Sequence, residues 1–124
     1  MRELVWNPVD FLQVLEVVPK EGEYGTHYLY DVERGGLRLH LAVHPLERDV
    51  SIKIVCGEQV EPVVDLNLLG CPAARVVQDK RGQYIEFAGA KAFSGRYDQS
   101  DAPAYGFRLW ITPFMQIEPF AYPI

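Results

Sequence analysis

Cysteine is scarce in this chain: Cys56 and Cys71 are the only two in 124 residues. They form no C-x-x-C spacing, so neither a zinc knuckle nor a redox pair is signalled. Free buried thiols, each acting as a small hydrophobe, are the expected state; a Cys56–Cys71 disulfide is the alternative. Long apolar runs are missing as well. None approaches the ~20 residues a membrane helix needs, and the N-terminus shows no basic-then-apolar leader pattern. A cytoplasmic protein without membrane contacts is expected. Basic charge is also short, with 12 Lys/Arg against 17 Asp/Glu and a net charge of −5. The deficit sits in residues 1–62, which hold six basic and eleven acidic residues, whereas residues 63–124 hold six of each. Sequence-independent nucleic-acid binding rests on basic side chains neutralising phosphates, so no nucleic-acid partner is expected. An acidic surface suits a basic protein instead.

Catalytic signatures are thin. There is no Gly-x-Ser-x-Gly, and Ser94-Gly95 lacks the strand-to-helix elbow that exposes such a serine. No glycine-rich phosphate loop occurs, and no cofactor is implied. Asp98 and Asp101 are paired acids in sequence, but nothing sets their environments apart, as acid–base catalysis requires. A non-enzymatic role is the expectation.

What the chain does have is alternation. Tyr28, Tyr30 and Val32 interleave with His27, Leu29 and Asp31; Leu37, Leu39, Leu41 and Val43 with Arg38, His40, Ala42 and His44; Val50, Ile52, Ile54 and Cys56 with Ser51, Lys53 and Val55. A period of two marks half-buried strands. Gly35-Gly36 suits a two-residue hairpin turn whose central residues both need positive φ. Flanking it with Arg34 and Leu37 pairs Val32 with Leu39, Tyr30 with Leu41 and Tyr28 with Val43 inside. Outside, it pairs Glu33 with Arg38, Asp31 with His40, Leu29 with Ala42 and His27 with His44. Pairing Val43 with Val50 then sets Leu41–Ile52, Leu39–Ile54 and Leu37–Cys56 inside, with His44–Asp49 and His40–Lys53 outside. A one-residue slip would turn the whole apolar set outward.

The remainder is read from its punctuation. Asn7-Pro8-Val9-Asp10 starts a helix, with a cap, a first-turn proline and an acid at the positive dipole end. Phe11, Leu12, Val14, Leu15 and Val18 share its apolar face, and Pro19 ends it; a strand through Val14–Val18 is the competing reading. Lys20–Gly25 reads as a solvated acidic loop. Further strands are expected around Val63–Leu69, apolar on the side of residues 64, 66 and 68, and in a hairpin of Arg75–Gln78 and Gln83–Phe87. Phe107–Ile111 is another, and Pro113 and Pro119 confine Phe114–Phe120 to an edge strand or an extended segment. The chain is thus one mostly β domain spanning residues 1–124. The expected architecture is an antiparallel β-sandwich or a curved sheet with one short N-terminal helix packed on it, and the alternative is an α+β single sheet.

Three candidate sites follow. His27, His44 and Asp49 share one row of the outer face, where directly opposed Cβ atoms lie ~5 Å apart, within reach of one divalent ion. His40 and His44, four apart on one strand, are separated by ~13 Å and cannot share one. The bland reading of that row is a polar sheet edge. The second candidate is the long segment Gly89–Tyr105, where Arg96, Tyr97 and Asp98 offer a planar donor fork, a ring and an acceptor for a polar ligand or a partner. An ordinary connection with Arg96 paired to Asp98 or Asp101 is its bland counterpart. The third is Trp110, which falls on the polar side of its strand with Arg108 and is the ring to test for ligand contact; most rings in a small β domain simply pack. The apolar C-terminus, Phe120–Ile124, suits docking on the core or on a partner. The expected function is a non-enzymatic interaction domain that binds a protein partner, such as an acidic inhibitor or antidote-type protein, or another copy of itself. A small-ligand or carbohydrate-binding sandwich, and a metal-dependent enzyme built on His27, His44 and Asp49, are the alternatives.

Overall fold

Asn7 opens the first element by accepting a hydrogen bond at its side-chain oxygen from the Val9 amide, 3.0 Å away. The structure, a computed structural model, describes residues 3–89 and 105–121. Helix α1 (Pro8–Leu15) is followed by strands β1 (Lys20–Glu21), β2 (Tyr28–Arg34), β3 (Leu37–His44), β4 (Asp49–Cys56) and β5 (Val64–Leu68). Then come β6 (Ala74–Asp79), β7 (Gly82–Ala88), β8 (Tyr105–Trp110) and β9 (Gln116–Ala121). Two antiparallel sheets result, one ordered β1-β2-β3-β4-β5 and the other β6-β7-β8-β9. The chain is mostly β with one short helix, as the alternation implies.

The first sheet has the register read from the sequence. β2 and β3 pair Tyr28 with Val43, Tyr30 with Leu41 and Val32 with Leu39, and β3 and β4 pair Leu41 with Ile52 and His44 with Asp49. Gly35 and Gly36 take φ of 59° and 80°, the left-handed pair this tight turn requires. β5 adds Val64, Leu66 and Leu68 to the inner face. In the second sheet the hairpin turn lies at Lys80-Arg81, and β9 with its Pro119 forms an edge.

One core cluster takes Tyr30, Leu39, Leu41, Val43, Val50 and Ile52 from the first sheet and Ile85, Phe87 and Leu109 from the second. Phe11, Val14 and Leu15 enter it from α1. Phe11 is the joint, its ring 6.1 Å from that of Tyr30 and 6.0 Å from that of Phe87. Each such side chain contributes about 1.5–3 kcal/mol on burial. Ahead of the helix, Val5 bridges Ala73, donating to the Pro72 carbonyl and accepting from the Ala74 amide.

Four local expectations are corrected. Helix α1 stops at Leu15, where Glu16 turns left-handed at φ 59°, so Val18 never joins the apolar face and both it and Leu12 are exposed. Lys20–Gly25 is not only loop: Lys20 and Glu21 pair with Leu29 and Tyr28, and Glu23–Gly25 is a 3₁₀ turn. Cys56 is exposed rather than buried. It ends β4 opposite a half-buried Leu37, and Gly57 at φ 58° carries the chain away, so the core does not reach that end of the sheet. Cys71 is buried, and both cysteines are free thiols. Trp110, expected to be displayed on the polar side of its strand, lies on that side but is covered there, only 5% exposed.

Candidate functional site

The outer face of the first sheet brings part of the histidine row together. The rings of His27 and His44 lie with centroids 6.0 Å apart, and His44 stands opposite Asp49. Asp49, however, accepts a hydrogen bond from the Gly70 amide at 3.4 Å, and His27 Nδ1 pairs with the Thr26 hydroxyl. Among the described residues no group of three or more His, Cys, Asp or Glu is placed to hold a metal ion. Two rows further along that face, His40 Nδ1 is bonded to the Asp31 carboxylate, opposite it on β2. Arg96, Tyr97 and Asp98 lie outside the described residues.

The outer face of the second sheet carries a ladder that inspection of single strands misses. Arg75, Glu86, Arg108 and Glu118 stand directly opposite one another across β6, β7, β8 and β9. Their signs alternate, so every neighbour is a counter-ion. Arg75 reaches Glu86 at 3.2 Å, Arg108 reaches Glu86 at 3.4 Å and Glu118 at 2.9 Å. From the β6–β7 turn, Arg81 extends the row, binding Glu118 at 3.1 Å and Asp79 at 3.4 Å. Glu86 is only 4% exposed, a burial a carboxylate tolerates when its charge is compensated by hydrogen-bonded partners. The Arg108 guanidinium, donating to Glu118, holds that carboxyl below its usual range. The Arg81 backbone amide does the same for Asp79.

Aromatic rings sheathe the ladder. Tyr84 and Trp110 lie with centroids 4.4 Å apart, and the Arg81 guanidinium covers Trp110 at 4.9 Å. Arg108 lies 4.4 Å over Phe120. Trp110 is therefore on the face expected for it, beside Arg108, yet covered rather than displayed. Beside it is a depression of about 210 Å³ lined by Arg81, Trp110, Pro113, Phe114 and Gln116, with Phe114 exposed at its rim. Arg, Trp and exposed aromatic residues are those that anchor protein interfaces. Half of the ladder was accessible from the sequence. Closing a hairpin at Lys80-Arg81 puts Arg75 opposite Glu86, whereas Arg108–Glu118 needs a strand that its prolines disguise.

No family model matches the sequence, and no curated protein matches it either. Among solved structures, a chain of the contact-dependent growth inhibition toxin–immunity protein complex from Klebsiella pneumoniae 342 matches it with a TM-score of 0.75. The match has 15% sequence identity and covers 97% of this chain and 98% of that chain. The two chains share a fold. The likeness runs through both sheets and the helix, and no large segment of either chain falls outside it. No helix among the described residues is long and apolar enough to cross a membrane.

Proposed function

We propose that this protein is an immunity-type binding protein that neutralises a protein toxin by complexing it. The observation that carries this reading is the likeness, over nearly the whole of both chains, to a chain of a toxin–immunity complex. Charge supports the immunity side of such a pair. A net charge of −5, all of it contributed by residues 1–62, suits a protein whose partner is basic. Exposed carboxylates there include Glu21, Glu23, Asp31 and Glu33. The ladder, by contrast, satisfies its charges within the chain and supplies a rigid platform.

The test is capture of the partner from the native host on the tagged chain, followed by co-expression of both in a naive cell. The partner alone is expected to arrest growth, and co-expression to restore it. Association should slow steeply with added salt, because opposite charges steer the encounter. A captured partner that leaves growth unaffected, or an arrest that the protein fails to relieve, sinks the reading.

A further inference from the structure

The exposed edges of the two sheets are guarded unequally. β1 is two residues long and both are charged. Beyond it, the uncovered part of β2 shows Asp31, Glu33 and Arg34. β9 carries Pro119, and the start of β6 is bonded to Val5. Charges, prolines and covering segments are the devices that keep sheet edges from pairing with another chain. β5 has little of this. It ends its sheet, contains neither proline nor a basic residue, and among the described residues pairs with β4 alone.

We propose that β5 is a self-association edge, on which a second copy of this chain lays its own β5 antiparallel about a two-fold axis at Leu66. The sequence of the edge is complementary to itself in that register. On the inner face Leu66 meets its own copy and Val64 meets Leu68, three residues that one chain leaves half-buried against its core. A second strand completes their burial and joins two five-stranded sheets into one. On the outer face Asp65 meets Asn67, so no like charges are opposed. The register also accounts for two exposed apolar residues: Val63, 53% exposed, lies opposite the second copy's Leu69, 69% exposed. A symmetric dimer uses the same patch on both copies, and this patch meets that requirement pair by pair. The other registers that keep the inner face inward offset these matches, pairing Asp65 with Asp65 or Asn67 with Asn67.

Analytical ultracentrifugation of the purified chain over a concentration series tests this without any toxin. A reversible monomer–dimer equilibrium is expected. Asn67→Asp places a carboxylate opposite Asp65 twice per dimer and should weaken association roughly tenfold. Asn67→Lys should tighten it by a similar factor, and Asp65→Asn combined with Asn67→Asp should restore the original affinity. Residues 65 and 67 are exposed, and circular dichroism of each variant should match that of the parent. A monomer at every concentration overturns the proposal. So does a dimer indifferent to all three variants, because it would use another surface. A monomer that still neutralises a toxin would leave the immunity reading standing, and a dimer of this register without neutralisation would do the converse.

Discussion

Replacing Glu86 by Gln removes one negative charge from the middle of the second sheet and changes little in shape. The two guanidinium groups at 3.2 and 3.4 Å each attract that carboxylate by about 5 kcal/mol at an effective dielectric near 20, before desolvation is counted. Breaking a buried pair by deleting one partner costs about 3–5 kcal/mol. Two observations lower the figure here. Arg75 is about a third exposed and can rehydrate, and Arg108 keeps its 2.9 Å contact with Glu118. A loss of about 2–3 kcal/mol is therefore expected. Urea unfolding should show a lower midpoint at an unchanged m-value, and thermal unfolding a drop of roughly 6–15 °C. A loss below about 0.5 kcal/mol would refute the reasoning, because it would mean that solvent already screens Glu86. A double-mutant cycle with Glu86→Met and Arg108→Met gives a second check. Removing both charges should cost at least about 1 kcal/mol less than the two single losses added together. Strict additivity would show that the row is a set of neighbours and not a network.

The Tyr30 hydroxyl is buried and has no hydrogen-bond partner among the described residues, so Tyr30→Phe should stabilise the fold by about 1 kcal/mol in denaturant unfolding; a loss would reveal a partner. Burial also pushes the Tyr30 phenol and the Cys71 thiol up to about 12 each. Folded pKa values raised above the unfolded ones confer stability that is complete below about pH 9 and lost as pH climbs towards 12, by on the order of 4 kcal/mol for Cys71. At the acid end the lowered carboxyls of Glu118 and Asp79 work in the opposite sense. Their contribution is present above their ordinary values and is lost as pH falls below them, and pH-dependent thermal melts should show both flanks. A methyl group on Gly106 would meet the Phe87 carbonyl oxygen at 2.1 Å and the Phe120 ring at 3.1 Å. Gly106→Ala should accordingly cost about 2 kcal/mol or more, and a neutral melt would contradict that packing. Zinc titrated against the histidine NMR signals should leave His27 and His44 unmoved, since Asp49 is engaged with Gly70; paired shifts of those two rings would restore the metal reading.

The first sheet was legible because two independent signals agree there. A Gly-Gly turn fixes where the hairpin closes, and strands with one buried face alternate cleanly on both sides of it. The second sheet offers less: Asp79-Lys80-Arg81-Gly82 marks its first hairpin, but the alternation fails in the strand that follows. Residues 84 to 88 of β7 are buried on both faces, so Tyr84, Glu86 and Ala88 lose the polar contrast that marks an outer side. Trp110 shows the same failure from the other direction: its place beside Arg108 was readable, but the Arg81 and Tyr84 side chains that cover it come from another hairpin. The remaining misses are terminal. Helix α1 ends on a left-handed Glu16, where no glycine announces the stop, and Cys56 obeys its alternation but lies past the end of the core.

The two halves of the chain treat charge differently, and this connects the fold to the proposed role. Residues 63–124 balance their acids and bases, and the ladder takes up half of those charges, linking Arg75, Glu86, Arg108, Glu118, Arg81 and Asp79 in one chain of contacts. Residues 1–62 have nearly twice as many acids as bases, and the side-chain pairs there among the described residues, the Arg34–Glu16 ion pair and the His40–Asp31 hydrogen bond, join well-exposed groups. Exposed pairs of this kind stabilise a fold by about 1 kcal/mol at most, so their carboxylates can be redirected towards a partner at little cost to the fold. The centre of the ladder cannot be redirected so cheaply, because withdrawing Arg75 or Arg108 would strip the buried Glu86 of a counter-ion. If the protein neutralises a basic partner, the first half therefore supplies the attraction and the second half the rigidity against which it acts.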